Sequence, residues 1–309
     1  MERGEQGQGQ GQRPRGAGAA EARRAVVTGA TGGIGEAVAR RLAARGATVV
    51  LVGRSDARLD RARRRILAAV PHAELRTERA DLSLLSEVRE LAARLGEQPP
   101  PDVVVSNAAV IAPPDDVTSE GLQRTLATNY LAPYVLLRSL VGPIGGRRAR
   151  FVVVGASPTV LARFPVDVHD PAAAPGGRRP APGLKAFTCY ARSKNMNTML
   201  VHALADRLKG SRITVNGAHP GIIKGTGIGE DSLGALKSLS PLLNPFFPGP
   251  DVGADTPAWL ATSPETEHVT GRFYVKRRQA TTAPHTTDPA RCDTLWIRTA
   301  ELTGLPPSL

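Results

Sequence analysis

Tyr190 and Lys194 stand four residues apart in the run Tyr190-Ala-Arg-Ser-Lys194. At that spacing on a helix the two side chains share one face, so a phenol and an ammonium point into one space. A phenol with a pKa of about 10 is a poor acid or base near neutrality, and a nearby cation lowers that value. The pair would then give a proton to a carbonyl oxygen or take one from an alcohol. Many helices carry this spacing by chance, so its weight depends on what lies upstream.

Upstream lies Thr28-Gly29-Ala30-Thr31-Gly32-Gly33-Ile34-Gly35, between an apolar strand-like run and a helix-like one. Glycines let a chain turn tightly and approach a pyrophosphate, and free N–H groups at a helix start favour its negative charge. Thr28, Gly29, Thr31, Gly33, Ile34 and Gly35 are the expected contacts. An acidic residue about 20 positions beyond such a turn would mark a free ribose 2′-hydroxyl. Arg54 stands there instead, and its guanidinium suits a 2′-phosphate, with Arg58 one helical turn on. Asp81, at the end of a third strand, is placed to meet an adenine amino group.

The elements that position these residues alternate. Strands are predicted at 25–28, 48–52, 74–80, 103–106, 151–154, 213–216 and 273–275. Helices are predicted at 34–45, from an N-cap at Ser55 to Ala69, at 84–95, through Asn129 to Leu140, and from Tyr190 to Lys209. Such alternation predicts an α/β fold: a single Rossmann-type, doubly wound parallel sheet with helices on both faces. Ligands bind at the carboxyl ends of strands in such sheets, where the glycine turn, Arg54 and Asp81 fall. Residues 1–22, rich in Gly and Gln, are expected to be a disordered tail before one domain over 23–309. Two segments break the rhythm and are expected to be substrate loops, near 163–188 and 225–252.

Of 309 residues, 40 are Lys or Arg and 28 Asp or Glu, a net charge of +12. The tail is balanced, with Arg3, Arg13 and Arg15 against Glu2, Glu5 and Glu21, so the excess lies in the body. The densest run, Arg58 to Arg65, is read as a solvated helix face rather than a nucleic-acid site, because no zinc-ligand set, aromatic strand or basic zipper accompanies it. Cys189, Cys292 and six histidines show no metal-ligand spacing. Without a signal peptide or a bilayer-length apolar run, the expectation is a cytoplasmic protein with no membrane insertion.

Four features together resemble the short-chain dehydrogenase/reductase family over nearly all of 23–309: the glycine turn, Asp81-Leu82, Asn107-Ala108, and Tyr190 with Lys194. Asn129, Pro220-Gly221 and the closing segment agree, and the ending with the long insert before Tyr190 is similar to the retinol-dehydrogenase-like branch. The resemblance implies that Tyr190 is the proton donor or acceptor and that Lys194 lowers its pKa and holds the nicotinamide ribose. It implies that Asn129 anchors a relay water, that Asn107 supports the sheet beside the cofactor, and that Leu82, Ala108, Pro220, Gly221 and Ile223 border it. A substrate-orienting serine belongs after the fifth strand. Ser157 fills that place if the strand end is counted through Gly155; otherwise Ala156 occupies it. Ser157 is the residue adopted. Asn107-Ala108-Ala109 departs from the family's Asn-Ala-Gly, and Ala132 replaces a common glycine.

The resulting expectation is NADP(H)-dependent hydride transfer on a carbonyl/alcohol substrate of apolar character, with a homo-dimer or tetramer possible. The altered glycines and the ambiguous serine leave one rival, a catalytically impaired NADP(H)-binding protein acting through partners or as a sensor.

Overall fold

The computed structural model describes residues 23–173, 182–221, 223 and 248–309. The expected tail lies outside these residues, as does most of the second expected substrate loop. Eight strands form one sheet in the order β3-β2-β1-β4-β5-β6-β7-β8. They are β1 Arg24–Thr28, β2 Thr48–Gly53, β3 Leu75–Arg79, β4 Val103–Ser106, β5 Ala149–Val154, β6 Ile213–His219, β7 Arg272–Val275 and β8 Arg278–Gln279. All neighbours run parallel except β7 and β8. The strand order reverses between β1 and β4, which opens a crevice at their carboxyl ends.

The central strands are apolar at successive positions because both sheet faces are covered. Side chains alternate between the two cores with the two-residue strand period. Val26, Val50 and Val104 face one core, while Val27, Leu51 and Val105 face the other. The edge strand β3, Leu-Arg-Thr-Glu-Arg, is the charged exception, and charge at an edge discourages pairing with a second chain. The eighth strand was not expected. Lys276 and Arg277, both at positive φ, close a tight hairpin that returns two residues against β7.

Helices α1 (Gly33–Ala43), α2 (Asp56–Ala69) and α3 (Leu85–Glu97) fall close to their expected places. Ser55 is the N-cap of α2, yet its side chain makes no capping hydrogen bond. The helix expected through Asn129 begins upstream of it. A turn α4 (Arg124–Leu126) leads into a π-helical turn over Ala127–Leu131, then α5 (Ala132–Ile144). After the short α6 (Pro158–Leu161) comes α7 (Pro182–Arg207), so Tyr190 sits two turns inside the helix it was expected to open. The proline and glycine in that stretch suggested a loop, but Pro182 occupies the helix's first position, where a missing N–H costs nothing. Likewise the expected loop's end is helical from Pro250, in the helix Pro250–Thr262.

Candidate active site

Beyond the carboxyl ends of β1, β2 and β4 the chain forms a groove of about 380 Å³. Its lining includes Gly29, Thr31, Gly33, Ile34, Gly35, Arg54, Asp81, Leu82, Asn107 and Ala108, ten of the expected cofactor residues. The glycines are there for space and for backbone. Gly29 and Gly33 have φ of 66° and 55°. A Cβ on Gly35 would lie 2.3 Å from the Gly29 carbonyl oxygen and 2.5 Å from Asn107 Nδ2. Gly32, the N-cap of α1, offers no capping side chain, so the first amides of α1 stay available to an anion.

Thr28 does not line the groove. It is buried, and its hydroxyl accepts hydrogen bonds from the backbone N–H groups of Asn107 (3.0 Å) and Ala108 (3.1 Å). Asn107 Nδ2 donates in turn to the Thr28 carbonyl at 3.0 Å. Thr28 therefore locks the ends of β1 and β4 together and shapes the groove from below. Arg54 and Arg58 are both exposed at the groove edge, with no side-chain partner among the described residues. Asp81 Oδ1 accepts from the Ser83 N–H at 2.9 Å.

The Tyr190–Lys194 face of α7 meets the end of β5. Lys194 is buried, and its Nζ donates to the Val154 carbonyl at 2.8 Å, 5.9 Å from the centroid of the Tyr190 ring. Phe187 packs on Tyr190 with centroids 6.1 Å apart, and Phe164 packs edge-on against Phe187, giving the phenol an apolar wall. Burial penalises both charged forms. It holds the Lys194 ammonium down to about 8 and pushes the Tyr190 phenol up to about 12. The expected lowering of the phenol by its lysine is thus not found in the protein alone: at this separation desolvation outweighs attraction.

Asn129 is fully engaged. Its Oδ1 accepts from the Val110 N–H, and its Nδ2 donates to the Val110 carbonyl and to Ser193 Oγ. Ser193 Oγ donates to the Tyr190 carbonyl, and Asn197 Nδ2 donates to the Asn129 carbonyl at 2.8 Å. The π-turn and α7 are pinned together around the Tyr190–Lys194 face. Asn195 Nδ2 bonds the Leu161 and Phe164 carbonyls, fixing the short helix behind Ser157. Asn195 and Asn197 were missed in the sequence, where an asparagine within a helix gives no sign of its partner. Ser157 is the N-cap of α6, half-buried, and its side chain makes no capping bond. Gly221 has φ of 90° after Pro220, and a Cβ on Gly253 would meet both Ile223 and Ile34. The loop after β6 therefore packs at the head of the phosphate turn.

The doubly wound sheet and a glycine cradle at its crevice define a dinucleotide-binding protein. The sequence pattern described as short chain dehydrogenase matches residues 23–165. A Streptomyces sp. (strain C5) protein named "Putative daunorubicin C-13 ketoreductase" is 34% identical over 283 residues, covering 91% of this chain and 93% of its own. Human retinol dehydrogenase 14 is 30% identical over 299 residues, covering 91% and 86%. A Burkholderia cenocepacia short chain dehydrogenase in complex with NADP superposes with a TM-score of 0.62 at 27% identity, covering 82% and 94%. The chain belongs to the short-chain dehydrogenase/reductase family, in its retinol-dehydrogenase-like branch, and is an oxidoreductase that uses a nicotinamide cofactor on a small-molecule substrate. Among the described residues no helix is long and apolar enough to cross a membrane.

Proposed function

We propose that the chain is an NADP(H)-dependent reductase or dehydrogenase of apolar ketones and alcohols, with Tyr190 moving the proton on the substrate oxygen. One observation carries this reading most: α7 brings the half-buried Tyr190 and the buried Lys194 to one face at the carboxyl end of β5, the end of the sheet where the glycine cradle opens. The cradle fits a dinucleotide because a Cβ at Gly35 would fill it and the first amides of α1 are uncapped. Gly29, Thr31, Gly33, Ile34 and Gly35 would hold the pyrophosphate, Asp81 and Leu82 the adenine side, and Pro220, Gly221 and Ile223 the nicotinamide side. Arg54 and Arg58, exposed at the edge, would take a 2′-phosphate, and the NADP-bound relative supports that preference.

When bound, the nicotinamide supplies or accepts the hydride. The protein's share is positioning and proton transfer. Tyr190 donates from its neutral form, which burial favours at physiological pH, to a carbonyl held against Phe187 and Phe164. Lys194 holds the ribose hydroxyls and, when charged, stabilises the phenolate. Ser157, with its hydroxyl uncapped, orients the substrate oxygen, and Asn129 keeps the relay region in register. The names of the relatives, a ketoreductase and a retinol dehydrogenase, support a carbonyl/alcohol pair. The reading of an impaired binding protein is not favoured, because Tyr190, Lys194 and Asn129 are intact and assembled.

The test is purified protein with NADPH and a panel of apolar and charged ketones, followed by cofactor absorbance. Tyr190→Phe should lower kcat by about 100-fold or more while leaving NADPH affinity in place. Arg54→Ser should weaken NADPH by about tenfold and NADH little. Tight NADPH binding with no turnover of any ketone or alcohol, or turnover of charged substrates alone, would overturn the proposal.

A further inference from the structure

At the opposite end of the sheet, where β1, β4, β5 and β6 begin, lies a second cleft of about 810 Å³. The six-residue β5 separates the two ends by about 20 Å. Seven Lys and Arg side chains line this cleft against two carboxylates, Asp102 and Glu267. Those two carboxylates are taken, by Arg147 and Arg148 respectively. Arg23 and Arg212 have no side-chain partner among the described residues and stand exposed at the cleft.

The buried part of the lining is unusual. Arg24 and Arg150 are each only 8% exposed, and among the described residues neither guanidinium is ion-paired with a carboxylate. Arg24 donates to the carbonyls of Leu95 and Pro99 and to Gln98 Oε1, yet its Nε is buried with no partner. Arg150 Nη1 is held by the carbonyls of Leu260 and Ser263. Burying a guanidinium costs several kcal/mol, of order, unless an opposite charge offsets it. Here carbonyl dipoles fix the two groups in place, and nearby carboxylates offset their positive charge only in part. Burial and Arg76 press against the Arg24 charge, and burial, Arg23 and Arg148 against that of Arg150, while Glu78 and Asp102 favour the first and Glu267 the second.

We propose that this cleft is a binding site for a small polyanion bearing two or more phosphate groups. Guanidinium forks match phosphate oxygens two at a time, and carbonyl-anchored forks lose little freedom in doing so. The volume suits a ligand of nucleotide size. The site is distinct from the cofactor groove, shares none of its residues, and explains where a large share of the basic excess is concentrated.

Calorimetric titration of the full chain with inorganic tripolyphosphate at constant ionic strength tests it. Three proteins are compared: wild type, Arg23→Ser with Arg212→Ser, and Arg54→Ser with Arg58→Ser. The first pair should weaken binding by about tenfold or more and leave NADPH-dependent turnover unchanged. The second pair should leave tripolyphosphate affinity at the cleft in place, and the wild type should melt at higher temperature with the ligand. The proposal fails if no binding is seen, if the Arg54/Arg58 pair abolishes it, or if both pairs weaken it equally, as a general charge effect would. It fails also if duplex DNA or phosphatidylserine vesicles bind more tightly than tripolyphosphate at the same ionic strength and lose that binding in the Arg23/Arg212 pair.

Discussion

Lys194→Met should make the cofactor-free protein more stable at neutral pH while disabling it. The ammonium is wholly enclosed and held at about 8 from its ordinary 10.5, with burial the cause. Below pH 8 the native state therefore carries a buried charge that the unfolded chain carries in water, a penalty of about 3 kcal/mol. Between pH 8 and 10.5 the unfolded state binds more protons than the native one, so native stability rises with pH by up to about 1.4 kcal/mol per unit. Methionine fills a similar volume without that penalty, but it forfeits the bond to the Val154 carbonyl, worth about 1 kcal/mol. The variant should be more stable than wild type by about 2 kcal/mol at pH 7, equal near pH 10, and less stable above. Urea denaturation of both proteins at several pH values between 7 and 10.5, without cofactor, measures the difference directly. A variant less stable at pH 7, or a difference that does not change with pH, refutes the argument that desolvation dominates at Lys194.

Gly35→Ala should abolish NADPH binding, since its methyl would press on the Gly29 carbonyl and Asn107, neither of which is a flexible side-chain end free to move. Thermal melting should fall by the equivalent of about 1–3 kcal/mol, and a variant that binds NADPH normally would show that the cradle is not as tight as described. Mass photometry should find no pairing through α5 and α7. The helix Pro289–Thr303 and the residues after it already cover that face, with Trp296 against Tyr134, Thr299 bonded to Tyr130, and Arg138 donating to the Pro306 and Ser308 carbonyls. A dimer that dissociates when α5 or α7 surface residues are changed would contradict this.

The doubly wound sheet was legible in the sequence because its signals are local. A strand buried on both faces must be apolar at every position, a glycine turn must precede a helix, and Tyr190 and Lys194 meet by helical spacing alone. Where local signals compete, the reading slipped: Pro182 looked like a loop and is a helix start, and the two-residue β8 was too short to show any period. The tertiary structure decided the rest. Only packing shows that Thr28 serves the scaffold rather than the groove, and that Asn195 and Asn197 tie α7 to its neighbours. Only burial reverses the expected shift at Tyr190, because desolvation depends on everything packed around a group and not on the residue four positions away. The chain's arginine count announced a charge excess, but its gathering at the amino ends of three strands, β1, β5 and β6, far apart in sequence, exists only once the sheet has formed.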